Sequence, residues 1–238
     1  MKQFLRAISA SLVMAIIMGL FSLVGSVYAT PDTKNQHFEA ENGTIIAGSG
    51  GGKPTVGNDG ATRFVGGFDY SGCGVSFAVN VTDAGVYKLT INAGCYGAGN
   101  CKILLNGVVD GIAILPNSNG WTTFVPSIYY IYIPAGNNTL MFQKSDYPGP
   151  VSLCFDSFDI AYQGVGNKSE AENGILTAGN PLNNSMNIQG PGDASSSAFS
   201  SAGKYVGGID NSGDTVTLTV NAPKAGKYNL LFVTRLIG

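Results

Sequence analysis

Two stretches of this 238-residue chain are near-copies of one another. Glu39-Ala40-Glu41-Asn42-Gly43 recurs as Glu170-Ala171-Glu172-Asn173-Gly174, and Val65-Gly66-Gly67 recurs as Val206-Gly207-Gly208. The match then stays in register. Asp69 answers to Asp210, Ser71-Gly72 to Ser212-Gly213, Val79-Asn80 to Val220-Asn221, Ala84-Gly85 to Ala225-Gly226, and Tyr87 and Leu89 to Tyr228 and Leu230. Chance does not produce such a run, so the chain carries two copies of one module. Between the matched blocks the second copy carries ten extra residues in a Ser-, Gly- and Asn-rich stretch, which reads as a longer surface loop. The first copy spans 36–163, residues 164–168 form a short linker, and a partial second copy spans 169–238.

The residues before the repeat read as an export signal. Lys2 and Arg6 precede an almost unbroken apolar run from Ala7 to Val27, and Val27-Tyr28-Ala29 supplies small residues before Thr30-Pro31. This predicts a signal peptide over 1–29, cleaved after Ala29, and a secreted protein. The run is nearly long enough for a membrane anchor, but the cleavage-like residues and the polar segment after them favour removal, and no later stretch is apolar enough to cross a bilayer. A net charge of -2 gives no electrostatic footprint for nucleic acid or anionic lipid. With 34 Gly and only 12% charged residues, the composition favours strands and tight turns over helices.

Val75, Phe77, Val79 and Val81 alternate with Ser76, Ala78 and Asn80, the period of a strand with one buried face. Asp83-Ala84-Gly85 turns the chain, and Tyr87, Leu89 and Ile91 then alternate with Lys88, Thr90 and Asn92, which predicts a hairpin. Further strands are expected over 102–108, 122–133, 139–144 and 151–160, with a turn at Pro134-Ala135-Gly136-Asn137-Asn138. Many short strands at this spacing mean an all-β sandwich or barrel. If consecutive strands run antiparallel, the turns at Asp83 and Asn137 lie at one end, and loops 66–74, 94–100, 114–121 and 145–150 gather at the other. Those loops carry Tyr70, Tyr96, Trp121, Asp146 and Tyr147. Aromatic rings beside Gly, Asn and Asp on rigidly supported loops suit sugar binding, because the C–H face of a pyranose stacks on a ring while short polar side chains take the hydroxyls. The competing role for any one ring is to cap the sandwich core.

The second copy offers no match to 101–162. A sandwich short of half its strands leaves open edges and an uncovered apolar face, so 169–238 is not expected to be stable alone, and the chain reads as a fragment of a longer protein or a shortened gene product. The four cysteines, Cys73, Cys95, Cys101 and Cys154, all fall in the first copy. Export through an oxidising compartment predicts two disulfides, with three pairings open.

Phe38-Glu39-Ala40-Glu41, Val65-Gly66-Gly67-Phe68-Asp69, Ala84-Gly85-Val86-Tyr87, Leu105-Asn106-Gly107, Gly120-Trp121 and Phe155-Asp156-Ser157-Phe158 follow one another in this order. Together they resemble carbohydrate-binding module family 35 and its relative, family 6, over the whole first copy and the front of the second. The resemblance implies a calcium-stabilised jelly roll, a β-sandwich that targets a secreted polysaccharide-degrading enzyme and does not itself catalyse. It implies a structural calcium held by Glu39, Glu41 and Asp156, a set of hard oxygen donors suited to that ion. Glu170 and Glu172 repeat the pair without a third carboxylate. Family 6 members commonly place a sugar-binding Asn two residues before the closing Asp, where this chain has Cys154, so specificity does not carry over. Cys73 stands where the second copy has Asp214, and a Cys73–Cys154 bridge beside a Cys95–Cys101 bridge is the preferred pairing.

Catalysis finds little support in the sequence. The single histidine, His37, sits near the expected mature N-terminus, so a Ser-His-Asp or Cys-His arrangement has no centre to form around. A zinc site lacks donors, and no pair of carboxylates has the context of a glycosidase. The expected partners are a polysaccharide or oligosaccharide and a catalytic glycoside hydrolase domain. The alternative is a structural or adhesive extracellular protein built of sandwich repeats.

Overall fold

In the computed structural model of the chain the described residues are 33–97, 99–145, 152–183, 185–190, 200–222, 224–228, 230 and 232. The expected signal peptide lies outside them. The first copy runs β1 (Asn35–Glu39), β2 (Thr44–Ile46), β3 (Thr55–Asp59), β4 (Thr62–Gly66), β5 (Gly74–Val81), β6 (Gly85–Gly94), β7 (Gly99–Leu105), β8 (Val108–Leu115), β9 (Val125–Ile133), β10 (Gly136–Lys144) and β11 (Cys154–Gly164). These strands form two antiparallel sheets, as the alternating patterns require. One has the order β3-β4-β11-β6-β9, with β1 also paired to β11, and the other has the order β2-β5-β10-β7-β8. The fold is an all-β sandwich.

The core lies between the sheets. From the five-stranded sheet, Val75, Phe77, Val79, Ile103, Leu140 and Phe142 point inward; Tyr87, Leu89, Ile91, Ile131, Phe155 and Phe158 meet them from the six-stranded sheet. The rings interlock: Phe142 lies 4.7 Å from Phe155 and 4.6 Å from Phe158, while Phe38 stacks on Phe158 at 4.6 Å. Aromatic pairs at these separations contribute about 0.5–1.5 kcal/mol each beyond the area they bury.

Two expectations about strand pairing need correction. The segments around Asp83 are strands, but they do not make a hairpin. β5 pairs with β2 and β10, whereas β6 pairs with β11 and β9. The turn at 83–85 is an arch from one sheet to the other, fixed by the buried Tyr87 hydroxyl, which donates to the Asp83 carbonyl at 2.8 Å. Period-two alternation reports a buried face and is silent about the hydrogen-bonding neighbour. The strand expected over 102–108 is instead the end of β7, a two-residue turn and the start of β8. Asn106 and Gly107 both take positive φ, 52° and 81°, as the tight turn favoured in hairpins demands. The two turns at Asp83 and Asn137 do share one end, where Asn80 donates to the Asn137 side chain at 2.7 Å.

The second copy begins as the first does. β12 (Ile175–Thr177) pairs with β15 (Thr215–Thr217), and β13 (Asn187–Gln189) with β14 (Tyr205–Gly207). Leu176 opposite Val216 repeats Ile45 opposite Val75, and Ile188 opposite Val206 repeats Val56 opposite Val65. The repeated Glu-Ala-Glu-Asn-Gly also folds identically, as a 3-10 turn over Ala40–Asn42 and again over Ala171–Asn173.

Candidate functional site

At the end of the sandwich opposite the Asp83 and Asn137 turns, two loops meet. Residues 95–97 leave β6, and residues 116–124 cross from β8 to β9. Their junction is built on Ser118, a buried residue whose hydroxyl accepts from the Cys95 N–H at 2.8 Å and lies 2.6 Å from the Gly120 carbonyl. Asn117 continues the seam, since its Oδ1 accepts from the Gly97 and Asn119 amides, both at 2.9 Å, while its Nδ2 donates to the Asn119 side chain at 2.9 Å. Asn119 tolerates the positive φ of 57° that turns the loop. Gly94 completes the junction: a Cβ there would clash with the Trp121 carbonyl, so the backbones approach more closely than a side chain allows.

This scaffold presents two rings. Tyr96 is 68% exposed and Trp121 44% exposed, and their centroids lie 6.2 Å apart with planes inclined by 37°. Large aromatic faces held open to solvent on a hydrogen-bonded loop can stack on an apolar ligand face. The neighbouring Asn117 and Asn119 are neutral donors and acceptors. Reading the sequence singled out both rings but missed Asn117, Ser118 and Asn119; their Asn-Ser-Asn-Gly run was the available turn signal.

Tyr70 is also exposed, but it belongs to a second group, with its ring packed over Gly52. Its loop is tied down by Lys144 Nζ, which donates to the Asp69 carbonyl at 3.0 Å, and by Ser152, which donates to the Asp69 carboxylate at 2.6 Å. Asp146 and Tyr147 lie outside the described residues.

The expected disulfides are a correction. All four cysteines are free thiols and all are buried. Each already has a place: Cys73 donates to the Gly52 carbonyl at 3.4 Å, Cys95 donates to the Pro116 carbonyl at 3.1 Å, and Cys154 Sγ packs over Gly66. Cys101 is sealed in the core, where burial pushes its thiol up to about 12. Burial likewise raises Cys154 to about 11. Cys101 and Cys154 therefore behave as small apolar side chains with low thiolate content. In the second copy the position of Cys73 is held by Asp214, whose carboxylate accepts from the Gly179 amide at 2.8 Å.

The carboxylates implied as calcium ligands lie where β1 meets β11. Glu39 ends β1, opposite Ser157. Glu41 does not continue that strand, because the chain enters the 3-10 turn at Ala40, so the pair is not related by strand alternation. His37 bridges two acids on the outer face, its Nδ1 lying 2.7 Å from Asp159 Oδ1 and its Nε2 3.0 Å from Glu39 Oε1. Those hydrogen bonds, Glu39 first, raise its pKa above the usual histidine value. Burial raises Asp156, and the charges of Glu39 and Glu41 raise it further, so both glutamates lie within electrostatic reach of Asp156. Among the described residues no three such side chains converge at metal-ligand spacing. Glu41 Oε2 is nevertheless buried without a hydrogen-bond partner, and Arg63 stands 3.7 Å from its other oxygen. An orphaned buried carboxylate oxygen beside a second acid suits a hard cation.

Residues 36–147 match the model of the carbohydrate binding module (family 35). A 1,6-alpha-glucosyltransferase of Sporosarcina globispora is 26% identical over 214 residues, covering 87% of this chain. The chain spans 16% of the length of that relative. A family 35 carbohydrate binding module from Clostridium thermocellum is 25% identical and is covered over 98% of its length by 53% of this chain, at a TM-score of 0.46. A Podospora anserina GH26-CBM35 beta-(1,4)-mannanase is 20% identical, with 60% of this chain and 31% of that one covered, at a TM-score of 0.45. The motifs running from Phe38-Glu39-Ala40-Glu41 to Gly120-Trp121, set in a two-sheet sandwich, and the match over that span place residues 36–147 in carbohydrate-binding module family 35.

Proposed function

We propose that this chain binds carbohydrate without transforming it and, as part of a secreted protein, holds a polysaccharide-processing enzyme against its polymer. The observation that carries this reading is the exposed Tyr96–Trp121 pair, fixed by Ser118 and flanked by Asn117 and Asn119. A hexopyranose stacks its C–H face on Trp121, Tyr96 bounds it at an angle, and the asparagine amides take hydroxyls. Tyr70 offers a further exposed ring for a neighbouring sugar unit, and Asp146 and Tyr147 are the further ligand-binding candidates the sequence supplies. The similarity to a glucosyltransferase makes α-glucan the first polymer to try. Calcium is the structural cofactor of this reading, held by Glu41 and Asp156 with Glu39 and supported by the orphaned Glu41 oxygen.

Affinity electrophoresis of residues 30–238 against dextran, pullulan, starch, mannan and xylan tests the proposal. Retardation is expected on at least one polymer, and Trp121→Ala is expected to weaken it by about tenfold or more, the scale of a stacking hot spot. Tyr96→Ala should weaken it as well. Binding that survives both substitutions would move the site elsewhere; migration unchanged by every polymer would favour a structural or adhesive role.

A further inference from the structure

On one flank of the sandwich the two sheets leave a cleft between their edge strands. β2 has only three residues, since the 3-10 turn at Ala40–Asn42 and Gly43 precede it, and it covers β5 only from Gly74 to Ser76. Beyond Ser76, β5 is paired on the β10 side alone, and β1 is paired with β11 alone. The ladders fix where the backbone groups point. The Lys144 N–H donates to the Cys73 carbonyl, so Cys73, Val75, Phe77 and Val79 bond toward β10, and Ser76, Ala78 and Asn80 point away from it. The Tyr162 N–H donates to the Lys34 carbonyl, so Asn35, His37 and Glu39 point away from β11 in the same manner. Ser76 is paired with Thr44, and the Asn80 carbonyl accepts from the Gln36 side-chain amide at 2.9 Å. Among the described residues, the backbone N–H and C=O of Ala78 and of His37 have no partner on that open side.

We infer that this cleft is a second carbohydrate site, one that takes a single neutral hexose unit. It encloses about 390 Å³, at the low end of the range that small-ligand sites occupy. Phe38 and Phe77 supply its apolar lining, and the side chains of Asn42, Thr44 and Ser76 stand around them without a hydrogen-bond partner among the described residues. A hydroxyl both donates and accepts, so one sugar ring can meet an edge N–H, an edge C=O and these three side chains together. Other ligands fit less well. An extended peptide needs a run of open backbone groups along one edge, and on β5 Ala78 alone, between Ser76 and Asn80, has both of its groups open. An acidic ligand finds no cation to receive it, because His37, the basic side chain lining the cleft, is held through both ring nitrogens by Glu39 and Asp159. The Trp121 loop joins β8 to β9, the opposite edges of the two sheets, so the two sites lie on opposite flanks and can hold separate chains. The class of ligand rests on the carbohydrate-binding reading, whereas the place of the site rests on the strand edges.

An NMR titration of isotope-labelled residues 30–238 decides the matter, with isomaltotriose, maltotriose and mannotriose as probes and glycerol as the control. In the Trp121→Ala variant at least one trisaccharide is expected to move the His37, Ser76 and Ala78 amides in a saturable way, and glycerol is not. Ala78→Leu, which fills the cleft from an exposed strand position, should weaken this binding by about tenfold or more. Thr44→Val, which keeps a strand-forming shape and loses one hydroxyl, should weaken it by about fivefold, the scale of one neutral hydrogen bond. Shifts confined to Gly97 and Asn119 in the unsubstituted chain, with none at Ala78, overturn this inference and leave the Trp121 site standing. Shifts at neither place overturn both. Cleft shifts that glycerol reproduces, or that Ala78→Leu and Thr44→Val both leave unchanged, mark an adventitious additive only and overturn the inference as well.

Discussion

Gly94 shows how a single position controls the binding end. The Trp121 carbonyl occupies the space a side chain at Gly94 would need, so Gly94→Ala must displace loop 116–124 or strain the end of β6. Overpacking of this kind costs about 1–3 kcal/mol. The variant is expected to unfold at lower urea and to lose polymer binding as severely as Trp121→Ala, although both rings remain. Parallel denaturation and electrophoresis check the two effects. His37 is the other residue with a readable signature. Hydrogen bonds to Glu39 and Asp159, whose carboxylates accept from the imidazole, favour its charged form, so it should titrate above 6.5 in an NMR pH series. The folded pKa is the higher one. The stabilisation His37 supplies is therefore fully present below pH 6.5 and disappears as pH rises through the folded value. Asp159→Asn should bring the midpoint down.

At the scale of elements, the first copy is joined to the second by a compact polar junction. Lys168, in the linker, lies 2.7 Å from Asp110 of β8, 3.1 Å from Glu170 and 2.7 Å from Ser201. Asp110 accepts the Tyr129 hydroxyl of β9 at 2.8 Å through its other oxygen. Lys168 stands two residues before Glu170 as His37 stands two before Glu39, so each copy pairs its first glutamate with a base two residues earlier in the chain. Here that base also grips the neighbouring module. Asp110→Asn keeps a partner for Tyr129 but removes one of the two charges that hold Lys168. Tryptic cleavage after Lys168 is expected to accelerate about fivefold, on the scale of roughly 1 kcal/mol for a half-exposed ion pair. An unchanged cleavage rate would show that the junction is held by other contacts.

The whole molecule responds to a cation if Glu41 and Asp156 hold one. Calcium is then expected to raise the thermal midpoint of residues 30–238 by several degrees, chelator to lower it, and Glu41→Gln to remove the response. Midpoints indifferent to calcium in the native chain would leave the Glu41 oxygen without an ion. Much of this molecule could be read in its residues. The β-rich composition, the alternation in 75–81 and 87–91, the repeat and the two exposed rings are all local or periodic signals, and they were sufficient for a sandwich with aromatic loops at one end. The pairing of β5 and β6 with different sheets was not legible, because alternation marks a face and says nothing of which strand lies alongside. Nor was the state of the cysteines: their number suggested bridges, but each thiol found a carbonyl or an apolar niche set by strands distant in sequence. The sequence by itself determined which residues must be buried and which turns must be tight, since those follow from hydrophobic period and backbone sterics. Only the tertiary structure decided that Ser118 would lock Tyr96 beside Trp121 and that Glu41 would keep an unpartnered oxygen, since both depend on which loops the two sheets bring to the same place.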